Sequence, residues 1–458
     1  MAHPISTLMP PNSTQKTLDL LARYESRNVT FLDPDAGWPV VWKKSSGCQV
    51  WDIEGKRYLD LTAAFGVCAT GHSNPRIVRA GQKQMATLLH AMGDVHPHPL
   101  KALLARELSR ITFERWTRKS NRIGNHKPSL ATGKTIFCNS GFEAVEAALK
   151  TALLATGSPG ILAFEGAYHG LGYGALSTTH RAHFSAPFRS QLKSFGRFAP
   201  FPKTEQDLRN TEERIRSVFE KKPIGAVLVE PVQGRGGIHI PPPGFLPMLR
   251  RVCNANRALL ILDEVLTGFG RTGKWFACEH TGTVPDLICL GKALTGGFPL
   301  SACVGRADLM DHAWPASNGE AIHTSTFLGH PVGCAMALAQ IKELRNGQLP
   351  GRSARIGKTL LTGLKRLIPP GNCRLEARGI GLMTGLEITL PDGAPATAIA
   401  IKIMQKMLHR GILLLPEGEH GNILSFTPPL IITEAELERA LTSLQKLFAE
   451  KSDHRRDP

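Results

Sequence analysis

Two ionisable side chains come directly after short apolar runs that are typical of buried strands. Asp263 ends the run ALLILD (258–263), and Lys292 follows the run LICL (287–290) after one glycine. A carboxylate at the mouth of a buried sheet is costly unless a cation or a protonated nitrogen pairs with it. A lysine in such a place loses hydration, which lowers its pKa and frees its amine to act as a nucleophile. A lysine that extends into solvent from a loop edge is the more ordinary alternative.

Two other strand ends carry groups that suit an anionic, planar ligand. After TIFC (135–138), Asn139 or Ser140 can cap a predicted helix, and Gly141 lets the backbone approach a ligand closely. The free amides and the dipole of a helix N-terminus attract anions. After ILAF (161–164), Tyr168 can stack on a planar ring. Each group also has an ordinary interpretation, because serine is a common N-cap and an aromatic side chain can close the core.

These features together match the needs of pyridoxal 5'-phosphate (PLP), which takes a lysine, a carboxylate at its ring nitrogen and an anion site for its phosphate. Two other phosphate-binding motifs are excluded by their residues or spacing. The stretch GFGRTGKW (268–275) imitates a P-loop, but Trp275 stands where a serine or threonine must bind magnesium. The glycines at 170, 172 and 174 miss the spacing of a dinucleotide-binding loop.

The elements that must position these residues alternate between apolar runs and helical patterns from Thr135 onward. Two further runs are IGAVLV (224–229) and SACVG (301–305). Continuous apolar runs separated by helices predict an α/β domain with a parallel sheet buried on both faces. Ligands of such sheets bind beyond the carboxyl ends of the strands. From about Val332, an amphipathic helix, a strand-like segment and a closing helix from Thr433 predict a smaller α+β domain.

We therefore predict three segments along the chain. Residues 1–75 form an N-terminal arm and part of the small domain, residues 76–330 form the large PLP-binding domain, and residues 331–458 form the C-terminal small domain. The polar first 30 or so residues, with their Pro10-Pro11 pair, are expected to need a neighbour to become ordered.

Composition narrows the class of protein. The 458 residues are 42% hydrophobic and 20% charged, as in ordinary globular proteins. The net charge of +17 comes with no nucleic-acid-binding motif, so we predict no nucleic-acid partner. The chain has neither an apolar run long enough to span a membrane nor a signal peptide, which predicts a cytoplasmic protein with no membrane partner. Nine cysteines without metal-binding spacing predict no metal site and no disulfide framework.

Several motifs in combination resemble those of the class III aminotransferases, the family of ornithine, 4-aminobutyrate and ω-amino acid aminotransferases. The similarity runs from about Trp38 to the final helix. The motifs are NSGFEA, FEGAYHG, VEPVQGRGG, LILDEVLTGFGRTG, LGKALTGGFPLSA and HTSTFLGHP. The resemblance implies the fold-type I architecture of PLP-dependent transferases, with a large, mostly parallel sheet and a smaller α+β domain.

The resemblance also implies roles for individual residues. Lys292 would form the Schiff base with PLP and carry the proton transfer, and Asp263 would keep the ring nitrogen protonated. Val265 and Tyr168 would lie under and over the ring. The remaining cofactor-binding residues would be Ser140, Gly141, Glu230 and Thr326. Because the family delivers that threonine from the neighbouring subunit, the resemblance implies a homodimer with shared active sites.

The sequence departs from the family where many relatives bind the substrate carboxylate. Arg235 stands where many relatives have a glutamate, and Ser425 falls where the arginine paired with it is expected. Leu171 replaces a carboxylate-binding arginine of some relatives, and Leu266 replaces a glutamine near the ring hydroxyl. We predict that Arg235 has taken over carboxylate recognition, with Arg378 as a second candidate.

The predicted function is PLP-dependent transfer of an amino group from an ω-amino acid or related amine to a keto acid. The main alternative is a class III phospho-lyase or aminomutase, because the altered arginine pattern would also suit a substrate without an α-carboxylate. A basic nucleic-acid-binding protein is a more distant alternative.

Overall fold

A computed structural model of the chain describes residues 13–32, 38–121, 131–192 and 195–450. Residues 1–12 of the predicted arm and the basic tail, 451–458, lie outside the described residues. Within the described ranges, fifteen strands form three sheets. The strands are β1 (Trp42–Ser46), β2 (Gln49–Asp52), β3 (Arg57–Asp60), β4 (Gly133–Cys138), β5 (Gly160–Phe164), β6 (Gly196–Ala199), β7 (Ile224–Val229), β8 (Leu259–Asp263), β9 (Leu287–Leu290), β10 (Ser301–Arg306), β11 (Arg374–Ile380), β12 (Met383–Thr389), β13 (Ile412–Leu413), β14 (Leu415–Glu417) and β15 (Ile423–Phe426).

Fifteen α-helices connect and cover these sheets in the described part of the chain. They are α1 (Thr14–Tyr24), α2 (Ala63–Gly66), α3 (Pro75–Thr87), α4 (Pro99–Ile111), α5 (Phe113–Asn121), α6 (Gly141–Thr156), α7 (Tyr173–Leu176), α8 (Ala182–Ser185), α9 (Glu205–Lys221), α10 (Phe245–Ala255), α11 (Ala307–Ala313), α12 (Pro331–Asn346), α13 (Leu349–Lys365), α14 (Thr397–His409) and α15 (Glu434–Ala449). Short 3-10 helices at Ala186–Phe188, Ala277–His280 and Lys292–Leu294 complete the set. No helix among these residues is both long and apolar enough to cross a membrane.

The central sheet has seven strands in the order β4-β10-β9-β8-β7-β5-β6. Strands β6, β5, β7, β8 and β9 are parallel to one another, whereas β10 runs antiparallel to both β9 and β4. The reversal of β10 has a simple cause. A parallel crossover needs about a dozen residues or more, and only residues 291–300 connect β9 to β10. The predicted mostly parallel sheet is confirmed, with β10 as its antiparallel member.

The apolar runs became strands because the sheet buries them on both faces. All six residues of β7 are buried, as are all four of β9. Helices pack on both sides, with Leu149 of α6 in one core cluster and Leu249 of α10 in another. Strands that carry helices on both faces have no need of polar alternation, which explains the continuous runs in the sequence.

Two four-stranded sheets flank the central one. One has the order β1-β2-β3-β13 and joins N-terminal strands to a C-terminal strand. The other, β11-β12-β15-β14, is antiparallel, and the strand-like segment of the sequence forms its β11–β12 hairpin. Gly381 makes that turn with a positive φ of 59°, which suits glycine. The pairing of β3 with β13 agrees with an N-terminal share of the small domain, while the boundaries at 75 and 330 stay predictions.

Candidate active site

The carboxyl end of β8 carries a buried carboxylate with a specific partner. The Nδ1 of His169 lies 2.8 Å from the Oδ2 of Asp263, and both residues are buried. The backbone N–H of Val265 donates to the Oδ1 at 3.1 Å. The other ring nitrogen of His169, Nε2, is buried without a partner among the described residues. The sequence predicted that Asp263 needs a charged or protonated partner, and His169 is a partner that the prediction had not named.

Lys292 follows β9 and begins the 3-10 helix Lys292–Leu294. Its φ of 41° lies in the left-handed region, where a residue with a side chain is strained, and such strain is concentrated at functional sites. Burial lowers the pKa of the Lys292 amine, although the carboxylates of Asp263 and Glu230 act in the opposite direction. A lowered pKa makes more of the neutral, nucleophilic amine available at a given pH.

The N-terminus of α6 lies where the sequence predicted an anion site. Ser140 is the N-cap residue, and its backbone N–H donates to the Oε2 of Glu143 at 3.2 Å. The Oγ of Ser140 is buried and has no partner among the described residues. At Gly141, an added Cβ would lie 3.0 Å from the Cγ1 of Val265, so glycine permits this close approach. An orphaned hydroxyl at a helix N-terminus is suited to a phosphate oxygen.

Glu230 fixes the backbone on two sides of the site. Its Oε1 accepts from the N–H of Tyr168, and its Oε2 accepts from the N–H of Gly234, both at 3.0 Å. Burial raises the pKa of the Glu230 carboxyl to about 7, and the nearby Asp263 carboxylate contributes in the same direction. Glu230 therefore holds the glycine-rich turn after β7 against the segment that carries Tyr168.

These residues enclose one cavity of about 380 Å³. Its walls combine the polar groups described above with apolar side chains, a composition typical of cofactor and substrate pockets. The lining residues are Gly141, Phe142, Tyr168, His169, Gly170, Leu171, Glu230, Arg235, Asp263, Val265, Leu266 and Lys292. All twelve come from the carboxyl ends of β4, β5, β7, β8 and β9 or from the segments that follow these strands, at the edge where open α/β sheets bind ligands.

The structure separates the two arginines predicted to bind substrate. The guanidinium of Arg235 lies over the Tyr168 ring, 5.4 Å from its centroid, and Arg235 lines the cavity. The Nε of Arg235 is buried without a hydrogen-bond partner in the described part of the chain. Arg378 is instead bonded to the carbonyl oxygens of Gly237 and Ile238 and to Glu387, and it does not line the cavity.

Thr326 and Ser425 do not line this cavity in the single chain. Thr326 is exposed on a turn, and the neighbouring Ser325 accepts a hydrogen bond from the Nδ2 of Asn139 at 3.4 Å. Ser425 is buried in β15, opposite Gly385 of β12 and Leu415 of β14. The role of Thr326 toward a partner's cofactor stays a prediction.

Two residues of this region were not singled out from the sequence. His169 follows Tyr168 directly, and the need of the Asp263 carboxylate for a charged or protonated partner is the signal that could have identified it. Glu417 ends β14, and its charge reaches Lys292 and Tyr168. It lies in PEGEHG, a loop-like stretch whose sequence gives no sign that it folds toward the site.

The arrangement fits PLP on observations from this chain alone. The orphaned Ser140 hydroxyl suits the phosphate, the Asp263–His169 pair suits a protonated ring nitrogen, and Lys292 offers a buried amine for the aldehyde. Tyr168 and Val265 both line the cavity between these groups.

Comparison with known proteins finds relatives along most of the chain. Two relatives are similar over most of their length: the acetylornithine aminotransferase of Methanosarcina acetivorans, 35% identical over 89% of this chain and 91% of the relative, and the 5-aminovalerate aminotransferase DavT of Pseudomonas aeruginosa, 34% identical over 90% and 94%. Among solved structures, an amine transaminase from an uncultivated Pseudomonas species in its PLP-bound form is 28% identical, with a TM-score of 0.81 over 93% of this chain and 98% of that one.

These relatives are aminotransferases, so the comparison does not favour the lyase alternative. The family implies PLP as the cofactor and an amino donor and a keto acid as substrates, as predicted. Residues 33–448 match the description "Aminotransferase class-III", and the chain therefore belongs to the class III, PLP-dependent aminotransferases.

Proposed function

We propose that the enzyme transfers the amino group of an ω-amino acid or related amine to a keto acid whose carboxylate binds Arg235. One observation carries this proposal: Arg235 is a cavity-lining guanidinium without an anionic partner within hydrogen-bond reach among the described residues. A partly buried guanidinium of this kind is stabilised by a bidentate carboxylate, which is the group that a keto acid brings.

The chain's own residues supply the proton handling. Bound PLP withdraws electrons from the carbon that bears the amino group and so acidifies its hydrogen. The Lys292 amine, whose pKa burial lowers, takes that proton and returns it to the neighbouring carbon. Asp263, held by the hydrogen bond from His169, would pair with the ring nitrogen of PLP and keep it protonated. Glu230 holds the turn that carries Arg235 at a fixed distance from Tyr168.

We further propose that two chains form a homodimer around the cavity mouths. Apolar side chains near the mouth are exposed in the single chain, including Phe65 at 59% and Leu171 at 48%. Ala63, Ala64 and Phe65 hold left-handed φ angles of 47°, 48° and 63°, an arrangement that presents Phe65 outward. Exposed apolar patches of this kind mark interfaces, and strained backbone needs a compensating contact. Thr326 of one chain would then contact the phosphate in its partner's site.

A mixed-dimer experiment tests this assembly. Lys292→Ala chains are refolded or co-expressed with Thr326→Ala chains, and PLP affinity and activity are measured. If threonine is supplied across the interface, half of the sites in the heterodimer are intact and activity returns. If Thr326 acts within its own chain, no site is intact and the mixture stays as impaired as its components.

The nine cysteines are all free, and eight are buried. Free thiols in this number support a reducing compartment, and we place the enzyme in the cytoplasm. Cell fractionation with an antibody to the chain tests this placement.

The reaction itself is tested by a half-reaction with the holoenzyme. With 5-aminovalerate alone, the enzyme should release one equivalent of deaminated product per site and then stop. Addition of a keto acid should restore turnover. Continued turnover without an acceptor would indicate elimination instead of amino transfer, and Lys292→Ala should give no product in either case.

A further inference from the structure

Glu417 is a second charged residue near the site that has no partner. It ends β14, and its Oε2 is buried without a hydrogen bond among the described residues. No ion pair within the described ranges involves it either. Burial raises the pKa of the Glu417 carboxyl, while the cations of Arg235, Lys292 and Arg181 act in the opposite direction. An enclosed carboxylate without a hydrogen-bond donor is costly, so its presence calls for a ligand that satisfies it.

The backbone brings Glu417 to the turn that carries Arg235. The N–H of Gly418, the next residue, donates to the carbonyl oxygen of Arg235 at 3.1 Å. The two side chains nevertheless form no salt bridge within 4.0 Å in the described structure, although their charges interact. The site therefore holds one unpaired cation and one unpaired anion beside the same turn. An internal pair would have been the simplest way to satisfy both, and the structure leaves them apart.

We propose that Glu417 is a specificity-determining residue that binds the second, distal ammonium of a diamine or diamino acid donor. The proposal deepens the proposed function and rests on it. The reacting amine of such a donor meets PLP at Lys292, while its other end meets Glu417. Among the cavity's nearby carboxylates, Asp263 is bonded to His169 and Glu230 to two backbone amides. Glu417 does not itself line the cavity, but the next residue bonds to the backbone of Arg235, which does, and the Oε2 of Glu417 has no hydrogen-bond donor among the described residues.

The two open charges solve a problem that every aminotransferase faces. Donor and acceptor occupy the same cavity in turn, so the site must accept two different distal groups. Here two fixed charges of opposite sign serve the two ligands, because Arg235 binds the carboxylate of the keto acid and Glu417 binds the ammonium of the donor. The keto acid then neutralises Arg235 and leaves Glu417 unchanged, whereas the donor neutralises Glu417 and leaves Arg235 unchanged.

The test compares three five-carbon donors that differ at their distal end: cadaverine with an ammonium, 5-aminovalerate with a carboxylate and n-pentylamine with a methyl group. Steady-state kcat/KM is measured for each with the wild-type holoenzyme and with Glu417→Gln. We expect wild type to prefer cadaverine over n-pentylamine by about tenfold or more, and Glu417→Gln to remove that preference, as for loss of a charged hydrogen bond. Values for n-pentylamine should change by less than about threefold, because that donor has no group for Glu417.

Glu419→Gln is the matched control. It removes the same charge two residues away on the same loop, from an exposed side chain, and should leave the three-donor ranking unchanged. If Glu417→Gln and Glu419→Gln behave alike, or if wild type does not prefer cadaverine, the inference is wrong.

A further outcome separates two roles for Glu417. If it only balances the charge of Arg235, Glu417→Gln should tighten keto acid binding without altering the ranking of donors, and this also overturns the inference. The proposed function has its own readout in the same assay. Transfer from n-pentylamine to a keto acid shows that the amino-transfer chemistry stands, whatever the ranking. If no donor reacts, protection of the holoenzyme against thermal unfolding by cadaverine, present in wild type and lost in Glu417→Gln, still decides the inference.

Discussion

Arg235 lies on the glycine-rich loop after β7, and Arg378 binds the same loop from β11, but the hydrogen bonding of the two guanidinium groups differs. Arg378 reaches from β11 and binds the loop through the carbonyl oxygens of Gly237 and Ile238 at 2.7 and 3.1 Å. Its Nη1 also donates to Glu387 at 2.6 Å. Arg235 lies on that loop, two residues before Gly237, and its guanidinium contacts the face of Tyr168.

The difference teaches how to separate a structural cation from one that serves a ligand. A guanidinium whose donors are occupied by carbonyls and a carboxylate stabilises the fold, because removing it would leave those acceptors unsatisfied. A guanidinium with an enclosed, unpartnered nitrogen in a cavity contributes little to folding and remains available to a carboxylate. Sequence alone made Arg235 the first candidate for carboxylate binding and kept Arg378 as a second one.

The largest expected effect comes from removing the charge of Arg235, which lines the cavity. We expect Arg235→Gln to lower kcat/KM for a dicarboxylic keto acid by about 100-fold, the scale for truncating one partner of a desolvated charge pair. The effect should be mainly on KM, because PLP and Lys292 are untouched. Acceptor kinetics at saturating n-pentylamine measure it.

Arg235→Lys is the informative companion variant. It keeps the charge but loses the planar pair of donors, so an intermediate loss is expected if the carboxylate is bound in bidentate fashion. Unchanged acceptor kinetics in Arg235→Gln would remove Arg235 from substrate recognition.

The second prediction concerns stability and Arg378, the hydrogen-bonded arginine. Arg378→Gln should lower the free energy of unfolding by about 2 kcal/mol, since it leaves buried acceptors without a donor. The side chains of Arg378 and Glu387 are only 13% and 27% exposed, so solvent does not replace the lost bonds fully. Chemical denaturation of the holoenzyme measures the change.

The KM for the keto acid should distinguish Arg378→Gln from Arg235→Gln. At temperatures where Arg378→Gln is folded, its KM for the keto acid should stay within about threefold of wild type, because Arg378 does not line the cavity. A large rise in KM with unchanged stability would exchange the roles of the two arginines.

The sequence alone predicted which residues come together beyond the ends of the strands. Asp263 and Lys292 come after continuous apolar runs, and parallel strands bring their carboxyl ends to one edge, so short-range patterns predicted their proximity. The N-terminus of α6 was predictable for the same reason, since only Asn139 separates Ser140 from the end of β4.

The rest of the site depends on contacts between distant segments, which the patterns do not contain. Glu417 reaches the site only because β14 pairs with β15 at the edge of a separate sheet, and the next residue bonds to the backbone of Arg235. Arg378 is excluded from the cavity by bonds to residues about 140 positions earlier in the chain. The antiparallel direction of β10 was also missed, because it follows from the length of a connection and not from the apolar run itself.

The smallest expected effect is the pH dependence of the Arg378–Glu387 pair. Burial is the largest single influence on Glu387 and opposes its ionisation, but the hydrogen bond and the charge of Arg378, with smaller contributions from Asn422 and His239, together lower the pKa of this carboxyl below its ordinary value of 4.5. A lowered folded-state pKa means that the folded protein binds fewer protons than the unfolded chain in this range. The stabilisation is therefore fully present above pH 4.5 and is lost as the pH falls through the folded-state pKa.

Unfolding free energies of wild type and Glu387→Gln, measured over that acidic range, isolate this contribution as the difference between the two curves. In an Arg378→Gln background the same difference should lose its acid-dependent slope or reverse it, because burial alone raises the pKa of Glu387. Arg235→Gln should leave the slope as it is in wild type, since Arg235 has no bond to Glu387. Equal changes of slope in the two arginine variants would show that both act on the protein through general electrostatics, and the distinction between a structural and a ligand-binding cation would then fail.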